Sequence, residues 1–510
     1  MRQSDMPDSI ENVKNVENRV APRNWWRTAF CGAMLLYAAL FLYYSQTDAF
    51  SWDEAYHLLT SQLILLGKQP YLDFCFPQTP LNAYWNAFWM SLLGQSWRVT
   101  HALAALLTMG SVLLTADFVA RQFPVSGWRT ACALTAALAF GLNTMVVQFG
   151  PLSQPYAICL FTLVLAFRLS VLAVGRDGIL LAASAGLLVG FAAASSLLTA
   201  AAAPILLIWI AAYNRAGSRW LKFVAFSLGG VIPFTPVLLL ALKGPREVWF
   251  NVIQYHSTFR KLYWPDTTRH DLEILASWID SGQALLLGLL AVFGLLYIAR
   301  RSEWPPSLKA EFYLCAWLAV GIAAELGFAH PTFRQYFLLI VPFLAILAVV
   351  GMYAVGSRVL DTDRPLRPVL LVTGLFAFGL AQSLYDHRED NTWHMYEQLA
   401  AKIDQVTPKD APVFATEQIF FLTKRLPPSG YELDYSHKID LPPDDRARLH
   451  LLSEAEVKQQ VQSGIFATAY VCDTDQIEEY GLTKLYNQRV DMLTCSIFWE
   501  RKAVTPPPPH

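Results

Sequence analysis

Trp26–Glu54 reads WRTAFCGAMLLYAALFLYYSQTDAFSWDE, an apolar run that closes on the acidic pair Asp53-Glu54. A helix needs about 20 apolar residues to cross the hydrocarbon core of a bilayer, and the stretch 26–44 supplies them. The chain therefore leaves the membrane just before Ser51-Trp52-Asp53-Glu54. Roughly fifty residues rich in Tyr, Trp and Pro follow before the next apolar run, so the acids open a large loop at the bilayer surface.

The rest of the chain repeats that pattern. Hydrophobic residues make up 54% and charged ones 15%, where soluble domains carry about 25% charged; mean hydropathy is +0.33. Runs at 26–44, 99–118, 129–148, 153–174, 179–197, 198–213, 221–242, 283–299, 311–329, 335–355 and 367–386 predict about eleven spans, an all-α polytopic membrane protein. Short cytoplasmic loops hold the excess of Lys and Arg. Here Arg19, Arg23 and Arg27 precede the first span. Alternate loops carry Arg121 with Arg129, Arg176, Arg215 with Arg219 and Lys222, Arg300 with Arg301 and Lys309, and Arg358 with Arg364 and Arg367. The turns near 149–153 and 196–199 have no Lys or Arg. The tail 1–25 is thus expected inside, with the outer loops 45–98 and 243–282 and the tail 387–510 outside. The polar tail 1–25 carries acids and no small-residue cleavage site follows the first run, so that run is read as an anchor and not as a cleaved signal.

The outer loop 45–98 reads as two short surface helices. In 54–66 Leu58, Leu59, Leu63 and Leu66 recur at helical spacing before Gly67, and around 81–93 aromatics crowd one face after Pro80. Both are too short to span and read as amphipathic pieces at the interface. The tail 387–510 is polar and alternates strand-like and helical patterns (412–416, 454–463, 466–472, 477–486, 489–499), a small α/β domain that ends in the disorder-prone run Pro506–Pro509. No internal repeat of the kind that builds transporters is evident. Of seven cysteines, Cys31, Cys132, Cys159 and Cys315 fall in spans; Cys75, Cys472 and Cys495 fall outside, where Cys472 and Cys495 are free to pair if the fold brings them close. A net charge of −1 gives nucleic acid no footprint.

The chemistry centres on Asp53 and Glu54. Ser51 and Glu54 fit the S-x-x-E capping box, which starts a helix at Trp52 and puts Asp53 in its first turn. There the helix dipole favours an ionised carboxylate and a low pKa. Acids are common in first turns for that reason alone, so the sequence leaves capping and catalysis evenly matched. Location and company favour catalysis. Trp52, Tyr56, Tyr71, Phe74, Phe76, Tyr84 and Trp85 would wall the carboxylate from water, and it could take a proton from an acceptor hydroxyl. His57, three residues after Glu54, is within reach of the same place or is an interfacial polar residue. A carboxylate pair has room for one divalent ion with waters, but no His or Cys pair has zinc-ligand spacing, and no metal is predicted.

The stretch Trp52–Gly94, WDEAYHLLTSQLILLGKQPYLDFCFPQTPLNAYWNAFWMSLLG, resembles the first outer loop of GT-C glycosyltransferases of the protein O-mannosyltransferase and lipid A aminoarabinose transferase type. The order span, outer Asp-Glu, helix, Gly, Pro-containing turn and aromatic helix carries the likeness. The resemblance implies a GT-C-like fold and transfer of a sugar, usually with inversion, from a polyprenyl-phosphate donor to a lipid, glycan or protein acceptor on the outer face. It implies Asp53 as base and Glu54 as its companion. A bacterial inner membrane is the expected location. Two features depart from the pattern: Gln78-Thr79-Pro80 stands where relatives often have His-Pro-Pro or Glu-Lys-Pro, and the turn 150–155 lacks an acid that some relatives place there.

Two outer clusters offer charge for a phosphate. His330-Pro331-Thr332-Phe333-Arg334-Gln335-Tyr336 resembles the basic-aromatic start of a late span in these transferases. Arg334 brings a fork of donors suited to phosphate oxygens, or else snorkels to headgroups. His256, Arg260 and Lys261 lie among aromatics in 243–282, and they fit a phosphate or anionic membrane lipid. Glu325, inside a span, would line a cavity or snorkel; Asp117 reads as a terminal charge. The rival readings are a transporter or flippase, which would need mid-bilayer polar groups or broken helices, and an assembly protein whose tail binds a partner.

Overall fold

The computed structural model describes residues 24–47, 50–260, 267–358 and 364–502. Lys261 and the run 506–509 lie outside them. Among the described residues, eight helices are long and apolar enough to cross a membrane: Trp25–Thr47, Trp97–Gln122, Tyr156–Gly175, Arg219–Lys243, Gly282–Arg300, Pro306–Phe328, Arg334–Arg358 and Leu366–Asp386. Three shorter apolar helices, Arg129–Gly141, Ile179–Ser195 and Leu197–Tyr213, fall on the other expected spans. Eleven full spans are therefore not established. The expected span 129–148 breaks at Leu142-Asn143, where the Asn143 side chain caps a second short helix, Thr144–Phe149.

Small residues let these helices meet backbone to backbone. A Cβ on Gly186 would lie 1.9 Å from the Phe226 carbonyl, and one on Gly351 would lie 1.9 Å from the Leu290 carbonyl. In lipid no hydrophobic force drives helices together, so such close approach supplies the packing. The outward faces keep residues such as Leu35, Leu40, Leu228 and Phe378 exposed. Among the basic loops, Lys222 Nζ donates to the carbonyls of Ala173 and Arg176, and Arg301 and Arg358 both stand over Tyr297. The helix Trp97–Gln122 runs from the acidic loop at its start to Arg121 at its end. The acidic pair and the basic loops therefore sit at opposite ends of the bundle.

At the acidic end the chain builds a cap. We label the elements that position the site α1 (Asn24–Thr47), α2 (Trp52–Leu65), α3 (Leu81–Leu93), α4 (Trp97–Gln122), α5 (Trp393–Val406) and α6 (Glu417–Thr423). The tail forms a four-stranded sheet in the order β1-β2-β4-β3, with β1 Val413–Phe414, β2 Thr468–Val471, β3 Tyr486–Met492 and β4 Cys495–Arg501. β1 runs parallel to β2 and the other pairs are antiparallel, with Ala469 opposite Phe498. The expected element 489–499 is instead part of a hairpin, turned at Leu493-Thr494. Cys472 and Cys495 form a disulfide across the base of that sheet.

Two expectations change here. α2 does not lie at the interface: every residue from Glu54 to Leu63 is buried. Nor is the tail packed separately. Tyr56, Leu59 and Phe76 of the first loop share one hydrophobic core with Phe250 and Tyr255 of the second loop and with Tyr396, Phe414 and Phe498 of the tail. The tail roofs α2, so helical spacing of its leucines reflects burial from above as well as below. α3 keeps an apolar outer face at Phe88, Leu92 and Leu93, as an interfacial helix would.

Candidate active site

Ser51 is extended and precedes α2, yet its side chain makes no cap; its hydroxyl accepts from Gln154 Nε2 at 3.0 Å. The S-x-x-E box is not formed, because Glu54 turns inward to stronger partners. Glu54 Oε1 accepts from His101 Nε2 at 2.6 Å and from the Ser153 backbone N–H at 2.5 Å. Its Oε2 accepts from Trp393 Nε1 at 2.9 Å. Burial pushes this carboxyl up, but His101, Ser153 and Trp393 together hold it below the usual carboxylate range. The His101 ring faces the Ser45 carbonyl at 2.7 Å on its other side, so it bridges α1 to Glu54 and stabilises the Glu54 charge.

Glu54, with three buried donors, is thus a hub that ties α1, α2, α4, the 150–155 turn and α5 together. Ser153 is held in turn by Asn82 and Asn86 of α3, whose side-chain amides donate to its carbonyl at 3.0 and 2.9 Å. The turn that lacks an acidic residue contributes a backbone donor instead. Trp393 is fully buried and stacks on Trp97 with centroids 5.6 Å apart and planes at 11°. Ser153, His101 and Trp393 were not singled out from the sequence. Their only local signal is a His and a buried Trp in polar or apolar surroundings, which many cores contain.

Asp53 points the other way. It is exposed on the first turn of α2, with Arg260 of the second loop and Glu417 and Tyr435 of the tail near enough to feel its charge. Burial raises its pKa, and the Arg260 guanidinium opposes the rise. The expectation of a low pKa from the helix start is therefore reversed: loss of solvent outweighs the dipole, and Asp53 becomes the stronger base. Arg260 follows an unusual ten-residue π-helix, Phe250–Phe259, a form enriched at functional sites. Its guanidinium donates to the Tyr336 hydroxyl at 2.7 Å and stands 5.3 Å from the Phe333 ring centroid. Tyr336 is buried, on the 3-10 turn Arg334–Ile340.

The other candidates are distributed around this pair. His256 donates from Nε2 to the Pro77 carbonyl at 2.7 Å; burial and Arg260 push its pKa down to about 4, so it ties the two outer loops as a neutral ring. Asn251, one π-helical turn earlier, accepts from the Phe76 N–H at 2.8 Å. Arg334 is exposed and has no partner among the described residues. His330 is bound to Asp271, whose other oxygen accepts from the Thr332 N–H at 2.7 Å. Asp271 went unnoticed in the sequence because 267–280 was read as loop rather than helix. His57 is buried against Tyr56 and Phe76, with its pKa pushed down to about 4 chiefly by burial. Tyr84 is partly buried on α3 and burial raises its pKa. Glu325 accepts from the Ala201 N–H at 2.8 Å, and Asp117 pairs with Arg121 and Arg168 at 2.6 Å, both remote roles in helix packing. Among the described residues no three His, Cys, Asp or Glu side chains converge on a metal site.

No family model matches the chain, and no curated protein matches it by sequence. Among solved structures it is similar to ArnT from Cupriavidus metallidurans bound to undecaprenyl phosphate, with a TM-score of 0.65 at 13% identity over 94% of this chain and 98% of that one. The apo form of the same protein gives 0.62 at 14% identity, over 93% and 97%. An archaeal oligosaccharyltransferase, AglB from Archaeoglobus fulgidus in complex with an inhibitory peptide and a dolichol-phosphate, gives 0.48 at 14% identity, over 79% and 64%. Nearly complete coverage in both directions at the higher scores shows that this chain has the GT-C fold, tail included.

Proposed function

We propose that the protein is a membrane glycosyltransferase that moves a sugar from a polyprenyl-phosphate-linked donor to an acceptor hydroxyl at the outer face. The observation that carries this reading is the nearness of an accessible carboxylate, Asp53, to the Arg260–Tyr336 couple. The likeness to a protein crystallised with undecaprenyl phosphate supports it. Asp53 accepts the acceptor proton as the new bond from acceptor oxygen to the anomeric carbon forms. The bond from that carbon to the donor phosphate breaks, and the electron pair leaves on the polyprenyl phosphate. Arg260 and Tyr336 donate to the phosphate oxygens, with Arg334 as an outer cation, so that charge is met where it develops.

Glu54, bound by three buried donors, holds the start of α2 and so the aim of Asp53. The acceptor is a lipid, glycan or protein. The location we propose is a bacterial inner membrane, with the basic loops inside and the cap outside.

The test compares wild type and Asp53→Asn in membranes with equal protein levels, following polyprenyl-linked sugars by mass spectrometry. Transfer falls by about 10²–10⁴-fold when a general base is lost, and the donor accumulates. Near-normal transfer by the variant removes Asp53 from the reaction.

A further inference from the structure

We propose that the tail domain carries the acceptor subsite, and that it is built for a neutral, hydroxyl-rich sugar of a glycan acceptor. This deepens the transferase reading above and rests on it. A cavity of about 400 Å³ opens between the start of α2 and the tail sheet, within the usual range of about 300–1,000 Å³ for small-molecule sites. Trp52, Tyr431 and Tyr470 give it aromatic walls, and Gln418, Asp434 and Gln476 give it polar ones. Trp52 is 63% exposed, so the aromatic residue adjoining Asp53 presents its ring to this cavity and does not pack into the core.

The cavity adjoins Asp53. Asp53 follows Trp52 in the chain, and its charge acts on Glu417 and Tyr435, next to the lining residues Gln418 and Asp434. The two flanks of Asp53 differ in sign. On one lies Arg260 with Tyr336. The other has Asp434 and Asp473, and the cavity lining has no Lys or Arg, its one basic group being the buried His437. A phosphate therefore belongs on the first flank, and a phosphate-bearing acceptor is repelled from the second. Flat aromatic faces suit the apolar C–H faces of a pyranose, and amide and carboxylate groups suit its hydroxyls.

The experiment uses the full-length protein in nanodiscs and saturation-transfer NMR. The probes are the methyl glycosides of glucose, galactose, mannose, rhamnose and N-acetylglucosamine, against glucose 6-phosphate and glucosamine. At least one neutral glycoside is expected to bind, with Trp52→Ala and Asp434→Asn each weakening it tenfold or more. Both side chains are exposed, and unchanged melting temperatures establish that the variants fold. Asp434→Lys is expected to admit glucose 6-phosphate. Absence of binding by every neutral glycoside, preference for the phosphate or the amine, or binding unaffected by both variants overturns the proposal. Stabilisation of the wild type by undecaprenyl phosphate, lost in Arg260→Gln, is read in parallel. If it holds while sugar binding fails, the cavity assignment falls and the transferase reading stands; if it fails, the transferase reading falls.

Discussion

Glu54→Gln tests the hub on which the aim of Asp53 depends. The carboxylate receives three buried donors: His101 and Ser153 on one oxygen, Trp393 on the other. An amide has one oxygen and one NH₂ group. With its oxygen toward His101 and Ser153, the NH₂ faces the Trp393 N–H, donor against donor. The reverse orientation strands two donors, so the first is adopted. Breaking a buried ion pair by removing one partner costs about 3–5 kcal/mol, which is about 10²–10⁴-fold in a local opening equilibrium. Hydrogen–deuterium exchange of the purified protein reads this directly, as faster exchange in peptides covering 51–66 and 393–406. Trp393→Phe removes the opposing donor, so the double variant should recover about 1–3 kcal/mol of the loss, the cost of one stranded buried group. Exchange of Glu54→Gln within threefold of wild type at both segments, or strict additivity in the cycle, would refute the argument.

Further outcomes follow from the same geometry. Because burial raises the Asp53 pKa and the proposed base is its ionised form, kcat/KM should climb with pH through a value above the ordinary carboxylate range. Arg260→Gln should move that limb to still higher pH, and a limb near pH 4 in both proteins contradicts the assignment. Glu417 is buried beside Asp434 and its pKa is raised to about 7 from 4.5. Its contribution to stability is whole below about pH 4.5 and is lost as pH rises to about 7. Glu417→Gln should therefore gain melting temperature relative to wild type across that window, and an unchanged difference from pH 5 to 8 counts against it. Removing 387–510 should abolish transfer and leave poorly dispersed protein, since the loops 45–98 and 243–282 lose most of their shared core; a monodisperse, active truncation contradicts that packing.

Hydropathy exposed the bundle, and the order of features after the first apolar run exposed the cap, because both depend on neighbours in sequence. Asp53 and Arg260 were legible as an acid and a cation in aromatic company. Glu54 was misread for a physical reason. Its local pattern satisfies a capping box worth about 1 kcal/mol, while its real partners lie 47, 99 and 339 residues away. The same distance effect concealed Asp271, whose partner His330 lies 59 residues on. α2 illustrates another limit. Leu58, Leu59 and Leu63 give one helical pattern whether the roof is lipid headgroup or protein, and only the tail, folded over them, decides.

The tie between Trp393 and Glu54 also sets an order of events. At about 5–20 residues per second of synthesis, the 339 residues between them take about 20–70 s to make. For that interval Glu54 has His101 and Ser153 as partners but not Trp393. Under the proposed function, a polypeptide clipped before Trp393 would lack the last anchor of the helix that carries Asp53, and so would be expected to stay inactive.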